Sequence, residues 1–223
     1  CHIDLKNINL EYVLDIVHFD DVAFNGLVTG TVNMKGVMKE PAMHTKLNVH
    51  NFCLNKALLG EADITGVWEL GGVRLDAKIA EEGISATHVT GYVSPKMKGL
   101  DLMIEADSTN IGLIQPFVEG IFSDLTGRVN GHIRLYGDFK HLDLEGEARA
   151  NIDVLNTYFQ IRDDSVHISS GQLLFTDVHV YDREGNSGVV NGYLHHTKLK
   201  NLMYHFNISG DNLLMYDTHE GGD

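Results

Sequence analysis

Several things are scarce in this chain, and each scarcity narrows what the protein can be. Among 223 residues there are only two cysteines, Cys1 and Cys53, too few for a disulfide framework and without metal-ligand spacing. Proline occurs only three times, which suits a long sheet whose backbone N–H groups must nearly all pair. No uninterrupted apolar run approaches the roughly 20 residues that a membrane-spanning helix requires.

Positive charge is also scarce. The chain has 17 Lys and Arg against 31 Asp and Glu, for a net charge of −14, which is the wrong sign for phosphate backbones, and no basic stripe with interleaved aromatics is present. Nucleic acid is therefore not an expected partner. A nucleophile elbow, P-loop, dinucleotide fingerprint and zinc-protease motif are all missing, so neither an enzyme nor a cofactor is expected.

What the sequence has in abundance is alternation of apolar and polar residues. Apolar side chains recur at every second position through most of the chain, a pattern typical of half-buried β-strands, with turn residues such as Gly71-Gly72 between the runs. Glycines stand inside the strand patterns as well, at Gly30, Gly91 and Gly192 among others, where they mark bends or close approaches of another strand. The pattern predicts an all-β chain of successive hairpins.

The alternation repeats. The segment GRVNGHIRLYGDFKHLDLEGEARAN at 127–151 has its glycines and alternating apolar residues at the same positions as GLVTGTVNMKGVMKEPAMHTKLNVH at 26–50, 101 residues earlier. The same offset continues without a gap to about residue 98, and one inserted residue then restores the correspondence. Self-similarity at a fixed period predicts units that bury their apolar faces against one another.

The repeat divides the chain into three parts. Residues 1–25 are predicted to end a preceding β-repeat, 26–124 to form a first repeat, and 125–223 a second. Within the first, 109–124 departs from period 2 and is predicted to be a short irregular or helical connector, since Pro116 would interrupt a longer helix. The abrupt first and last residues suggest a piece of something longer; lipidation of an N-terminal Cys1 is the less favoured reading.

One-sided alternation leaves an apolar face that something must cover. Because the sequence offers few amphipathic helices for this purpose, two arrangements remain open. The sheet folds over on itself into a filled sandwich or β-solenoid, or it forms an open trough whose apolar interior is available to lipid.

The glycine spacing of the hairpin, together with the run from 158 to 217, resembles the repeating β-domain of the TamB family of Gram-negative envelope proteins. The residues that carry the resemblance are YD-x-x-GN at 181–186, followed by a glycine-containing strand and the final NLLM at 212–215. The likeness covers 26–217. Its single motifs are loose, but their order and spacing together make it specific.

The resemblance implies an elongated, curled antiparallel sheet forming a trough with an apolar interior. It implies a segment of a periplasmic protein that is anchored in the inner membrane elsewhere, meets an outer-membrane β-barrel partner, carries phospholipid between the membranes and supports outer-membrane biogenesis. The large apolar side chains expected to line the groove and touch acyl chains are Met34, Trp68, Leu102, Ile104, Ile133, Leu135, Tyr204, Phe206 and Ile208.

Three polar features have alternative interpretations. Asp182, Glu184 and Asn186 resemble the start of a calcium loop but lack its closing Glu, and a Gly/Asn turn explains them equally simply. The adjacent His195 and His196 should point to opposite faces of a strand, which argues against a shared metal ion. Asp163-Asp164 would suit a polysaccharide-active β-helix, though adjacent acids usually mark a solvated turn, and no metal site is expected.

Overall fold

The structure, a computed structural model, describes residues 1–14, 23–36, 42–55, 57–118, 125–154, 159–197 and 200–214. It consists of one sheet of thirteen antiparallel strands, each hydrogen-bonded to the strand before and after it in sequence. The first and last strands are not paired with each other, so the sheet is open. This confirms the predicted all-β, elongated antiparallel sheet.

The strands are β1 (His2–Asn9), β2 (Phe24–Lys35), β3 (Ala42–Leu54), β4 (Ala57–Glu69), β5 (Gly72–Glu81), β6 (Ser85–Ser94), β7 (Gly99–Asn110), β8 (Leu125–Asp138), β9 (His141–Val154), β10 (Phe159–Ser169), β11 (Gln172–Tyr181), β12 (Ser187–Thr197) and β13 (Lys200–Ser209). The starts of β2 to β7 and of β8 to β13 are separated by 99 to 102 residues, strand for strand. The repeated sequence therefore forms repeated structure. The predicted turn at Lys39-Glu40-Pro41 lies outside the described residues.

Short helical segments follow β1 and β7. Helix α1 (Leu10–Leu14) follows the first of these strands, and a 3-10 helix (Ile111–Ile114) leading into α2 (Gln115–Val118) follows the other. The helical turns occupy the part of 109–124 where period 2 fails; residues 119–124 are not described. We call the strand ends next to these helical segments the connector margin. The opposite strand ends, where the turns 70–71, 95–98, 139–140 and 170–171 lie, are the hairpin margin.

Five of the bulges that bend individual strands share one backbone conformation. Asn7, Asn51, Ser108, Asp163 and Asp177 adopt φ values of 51° to 53° where the strand pairing skips a residue. Short polar residues tolerate this conformation better than most. Each bulge N–H donates to a side chain of the adjacent strand, as in the 2.8 Å bond from Ser108 N to Asn130 Oδ1. The bulges thus turn the strands without leaving a backbone donor unsatisfied.

The sheet curves strongly along the connector margin. Asn110 of β7 donates from Nδ2 to the carbonyl oxygen of Leu58 in β4, at 3.4 Å, across two intervening strands. Arg128 of β8 reaches Glu81 of β5 with an ion pair of 3.0 Å. Strands three apart in a flat sheet would be about 14 Å from one another. The apolar side is therefore the concave one at this margin.

Candidate functional site

The concave face carries continuous rows of side chains that follow the strand pairing from one edge of the sheet to the other. Row B crosses all thirteen strands and comprises Leu5, Gly30, Leu47, Ile64, Ala77, Val89, Ile104, Ile133, Gly146, Ile168, Leu173, Leu194 and Tyr204. Row C, nearer the connector margin, comprises Ile8, Val28, Val49, Ala62, Ile79, Thr87, Ala106, Gly131, Ala148, Val166, Phe175, Gly192 and Phe206. Neither row contains a charged residue.

A third row, row A, lies nearer the hairpin margin and crosses the first nine strands. It comprises Ile3, Val32, Thr45, Gly66, Leu75, Gly91, Leu102, Leu135 and Leu144. Of these nine only Gly66 is buried. Row C, in contrast, holds Val28 and Val49, which are fully buried. Burial thus falls from row C to row A, although Leu100, one position closer to the hairpin margin, is again only 9% exposed.

The buried side of this face is covered by the connectors themselves. Leu10, the first residue of α1, is 6% exposed and packs with Val28 and Val49. Ile111, 101 residues later, is also 6% exposed and packs with Val129 and Ala148. Each is preceded by an asparagine whose Oδ1 accepts a backbone N–H two residues on, at 3.1 Å for Asn9 and 3.0 Å for Asn110.

Sequence reasoning missed these covering residues. The signal was available, because an Asn followed by a large aliphatic residue recurs at 9–10, 110–111 and 212–213. The third instance behaves similarly, since Leu213 packs against the buried cluster of Val178, Val180 and Val190. The sequence left an open trough and a filled interior as alternatives. The concave face combines them: its part near the connector margin is filled, and its part towards the hairpin margin is accessible.

All nine residues predicted to line a groove lie on the concave face, and none belongs to the fully buried core. Leu102 pairs with Leu135 in row A, and Ile104 pairs with Ile133 in row B. The others are spread from the hairpin side, where Trp68 pairs with Val73, to β13 at the far edge. There Tyr204 is 57% and Ile208 is 37% exposed, whereas Phe206 is half-buried.

The convex face is polar and cross-linked. Arg134 makes a two-pronged ion pair with Asp101, with both N–O distances 2.7 Å, and a further bond of 2.9 Å to Glu145. The hydrogen bonds from this guanidinium hold the pKa of Asp101 below its ordinary value. His50 pairs with Glu61 at 2.6 Å and His88 with Asp76 at 3.1 Å. The acidic excess is therefore displayed on the side away from the apolar rows.

The loop between β11 and β12 is built around the Asp182 carboxylate, which is 3% exposed. Its Oδ1 accepts the backbone N–H groups of Glu184 and Asn186, and its Oδ2 accepts Asn186 Nδ2 and the backbone N–H of Leu214, all at 2.9 Å. Burial raises the pKa of this carboxyl, but the four hydrogen bonds outweigh burial and hold it at about 2. Both oxygens serve the turn, which favours the turn interpretation over the calcium loop.

Acid should therefore weaken this corner of the protein. Because the folded-state pKa of Asp182 is depressed, its stabilising effect is present above the unfolded value of about 4 and is lost as the pH falls towards 2. We expect Asp182→Asn to have a lower melting temperature than wild type at pH 6. The difference between the two melting temperatures should be smaller at pH 2.5. Asp211→Asn, in the exposed loop nearby, is the control and should show no such narrowing. An equal Asp182→Asn gap at both pH values would contradict the assignment.

The other polar candidates are also occupied structurally. Asp163 is a bulge residue, and Asp164 Oδ2 accepts the His179 backbone N–H at 2.6 Å. His196 is 3% exposed and burial lowers its pKa, although the nearby Asp143 carboxylate opposes that shift. His195 is only half-buried. In the described residues no group of three or more His, Cys, Asp or Glu side chains is placed to hold a metal ion.

Two broader findings bear on the protein's relationships. Within the described ranges, the helices are all too short to cross a bilayer. No protein-family model, curated protein or solved structure matches the chain.

Proposed function

We propose that this chain is a segment of the β-sheet that forms a lipid-carrying groove in a TamB-like protein of the bacterial envelope. In this proposal acyl chains of phospholipids lie along rows A and B and pass from strand to strand between the inner and outer membranes, in support of outer-membrane biogenesis. The observation that carries the proposal is that row A, over nine strands, and row B, over all thirteen, contain no charged side chain.

The physical basis is area rather than a particular contact. Apolar surface removed from water contributes about 25 cal/mol per Å², or about 0.8 kcal/mol for each buried methylene. Rows A and B alternate aliphatic side chains with glycines such as Gly91 and Gly146, so the contribution comes from the whole row and no single position holds a bound chain strongly. The open edges support passage as well, because row A ends on Ile3, 38% exposed, at one edge of the sheet and row B ends on Tyr204, 57% exposed, at the other.

The proposed setting is the periplasm, with an outer-membrane β-barrel partner and an inner-membrane anchor supplied by other parts of a longer protein. The proposed activity is not enzymatic. Rows A to C contain no Asp, Glu, His, Lys, Arg or Cys, and the hydroxyls of Thr45 and Thr87 are bonded to Gly66 and Thr109. These elements rest on the sequence resemblance together with the groove.

A structural or adhesive β-solenoid is the second candidate. The observation that favours it is the packed side of the concave face, where Val28, Val49 and Ala62 are fully buried beneath Leu10. A protein of this kind would need no lipid. The polysaccharide-active β-helix has less support, because the carboxylate of Asp164 and the backbone of Asp163 are both engaged in holding strands together.

Lipid analysis of the purified chain separates these candidates. We expect the protein, expressed in a Gram-negative host and purified without detergent, to carry phospholipid that survives native mass spectrometry and appears in an organic extract. Delipidated protein should take up a fluorescent phospholipid from micelles. Protein that contains no lipid and takes none up would favour the structural candidate and end the lipid-carrying proposal.

A further inference from the structure

The hairpin margin carries local positive charge in a chain whose net charge is −14. Two of its turns, at 95–98 and 139–140, contain Lys96, Lys98 and Lys140, which are all exposed, and the turn at 70–71 lies beside them. No Asp or Glu occurs within these turns. We call the three turns together the lysine tip.

The turns of the lysine tip touch one another. Ser94 Oγ donates to the Gly71 carbonyl oxygen at 3.3 Å, and a Cβ built on Gly71 would lie 3.1 Å from Lys96 Cδ, so the first two turns are in contact. The Phe139 N–H donates to the Lys98 carbonyl oxygen at 2.8 Å, which joins the second turn to the third. The three turns are thus continuous with one another, and Lys96, Lys98 and Lys140 are exposed on them.

The acids that border the tip are already engaged. The Glu69 carboxylate is paired with Arg74 just inside the first turn. Asp138 Oδ1 accepts the Lys140 N–H at 2.9 Å and its Oδ2 bonds His141 Nδ1 at 2.9 Å. On the opposite, connector margin the turns carry acids instead, among them Glu82 and Glu184. Among the described turns, lysines thus lie at the hairpin margin and acids lie at the connector margin, where Arg183 accompanies Glu184.

The lysine tip is continuous with the accessible side of the groove. Leu70 is 93% and Met97 is 76% exposed, so two turns hold large apolar side chains in water, which is unfavourable in free energy. Directly inside these turns the concave face continues with Trp68, Val73, Val93, Leu100, Gly137 and Leu142, which are paired across five strand contacts. An amphiphile lying in row A would find apolar surface up to this rim and ammonium groups at it.

We propose that the lysine tip is a headgroup site selective for anionic phospholipids, with the acyl chains of the same molecule in row A. The inference rests on the proposed lipid-carrying function and names its substrate class. A zwitterionic phospholipid presents its phosphate together with its own cation, so the lysines gain little. A headgroup with net negative charge, such as that of phosphatidylglycerol, gains the Coulomb attraction of three nearby ammonium groups. The acidic excess elsewhere would repel it, which confines the preference to this rim.

The experiment uses the 223-residue chain and an equimolar mixture of phosphatidylglycerol and phosphatidylcholine. Delipidated protein is loaded from mixed micelles at low salt, re-isolated, and both its total lipid and its headgroup composition are measured. We expect phosphatidylglycerol to be enriched about fivefold at low salt, from a few weak surface attractions acting together, and the enrichment to fall in 0.5 M salt.

Two matched variants assign the effect. The tip variant K96E/K98E/K140E should keep the total lipid but lose the enrichment. The control K6E/K46E/K78E makes the same change in net charge with exposed lysines of other strands, and it should keep most of the enrichment. Loaded lipid without enrichment in wild type, or equal loss in both variants, would overturn the headgroup site and leave the groove intact. Absence of any loaded lipid would instead overturn the lipid-carrying function, and the headgroup site with it.

Discussion

Leu102→Asp should abolish most lipid binding and leave the fold intact. Leu102 is half-buried in row A, faces Gly91 on one side and Leu135 on the other, and belongs to none of the buried clusters. An acyl chain in row A would have to displace the water around a carboxylate at this position, and removing water from an unpaired charge costs free energy. If the water stayed, the acyl chain could not contact the groove there. Either way, lipid binding becomes weaker. We expect binding of a fluorescent phospholipid to fall by more than about tenfold, since a cost of 1.4 kcal/mol alone gives that factor.

The neighbouring residue provides a matched control. Met103 is on the same strand but on the convex face, and it is 43% exposed. Met103→Asp introduces the same charge one position along and should bind lipid like wild type. Urea unfolding of both variants checks that the sheet persists. If the two variants bind equally well, lipid does not run along row A.

The position of the substitution matters because the concave face is only partly open. Ile133 packs against the cluster around Ile111, and Phe206 packs against that around Val178. A charge at either position would remove packing as well as block the groove. Sequence alone presents both as equivalent to Leu102, since all three are apolar residues in alternating strands. The structure separates them because it shows which part of the face the connectors cover.

Gly91→Ala should cost about 3 kcal/mol of folding free energy, from backbone strain and from displacement of the facing strand. Gly91 has a φ of 149°, and an added Cβ would lie 2.1 Å from the Asp101 carbonyl oxygen of β7. Gly192, 101 residues later, has a φ of 159° and an equivalent Cβ 2.0 Å from the His205 carbonyl oxygen. Glycine therefore permits a close strand approach at corresponding places in both repeats.

The control for this prediction is Gly83→Ala. Gly83 also has a positive φ, 70°, but nothing lies within 4 Å of an added Cβ. It should cost only the conformational strain, about 1 kcal/mol. Midpoints of urea unfolding for the two variants give the comparison. Equal costs would show that Gly91 is needed for its backbone conformation alone and that the close approach of β7 is not a constraint.

The sequence determined the class of fold, because period-2 alternation assigns each side chain to a face and adjacent hairpins need no long-range information. It also determined the repeat, since the 101-residue offset of the glycines survives as a strand-for-strand correspondence. The nine lining residues share one face for the same reason. The lipid-carrying function stays a proposal, which neither the alternation nor the concave face by itself tests.

Only the tertiary structure decided how open the concave face is. Whether Leu10 and Ile111 cover their neighbours depends on how far the bulges and glycines curl the sheet, and curvature is the sum of many small backbone rotations that leave no single mark in the sequence. The gathering of Lys96, Lys98 and Lys140 is likewise tertiary, because the turns that carry them are as much as 44 residues apart and meet only through strand pairing. The local alternation of residues determines which face of the sheet each side chain lies on. The curvature of the sheet determines which of those side chains are covered and which are accessible.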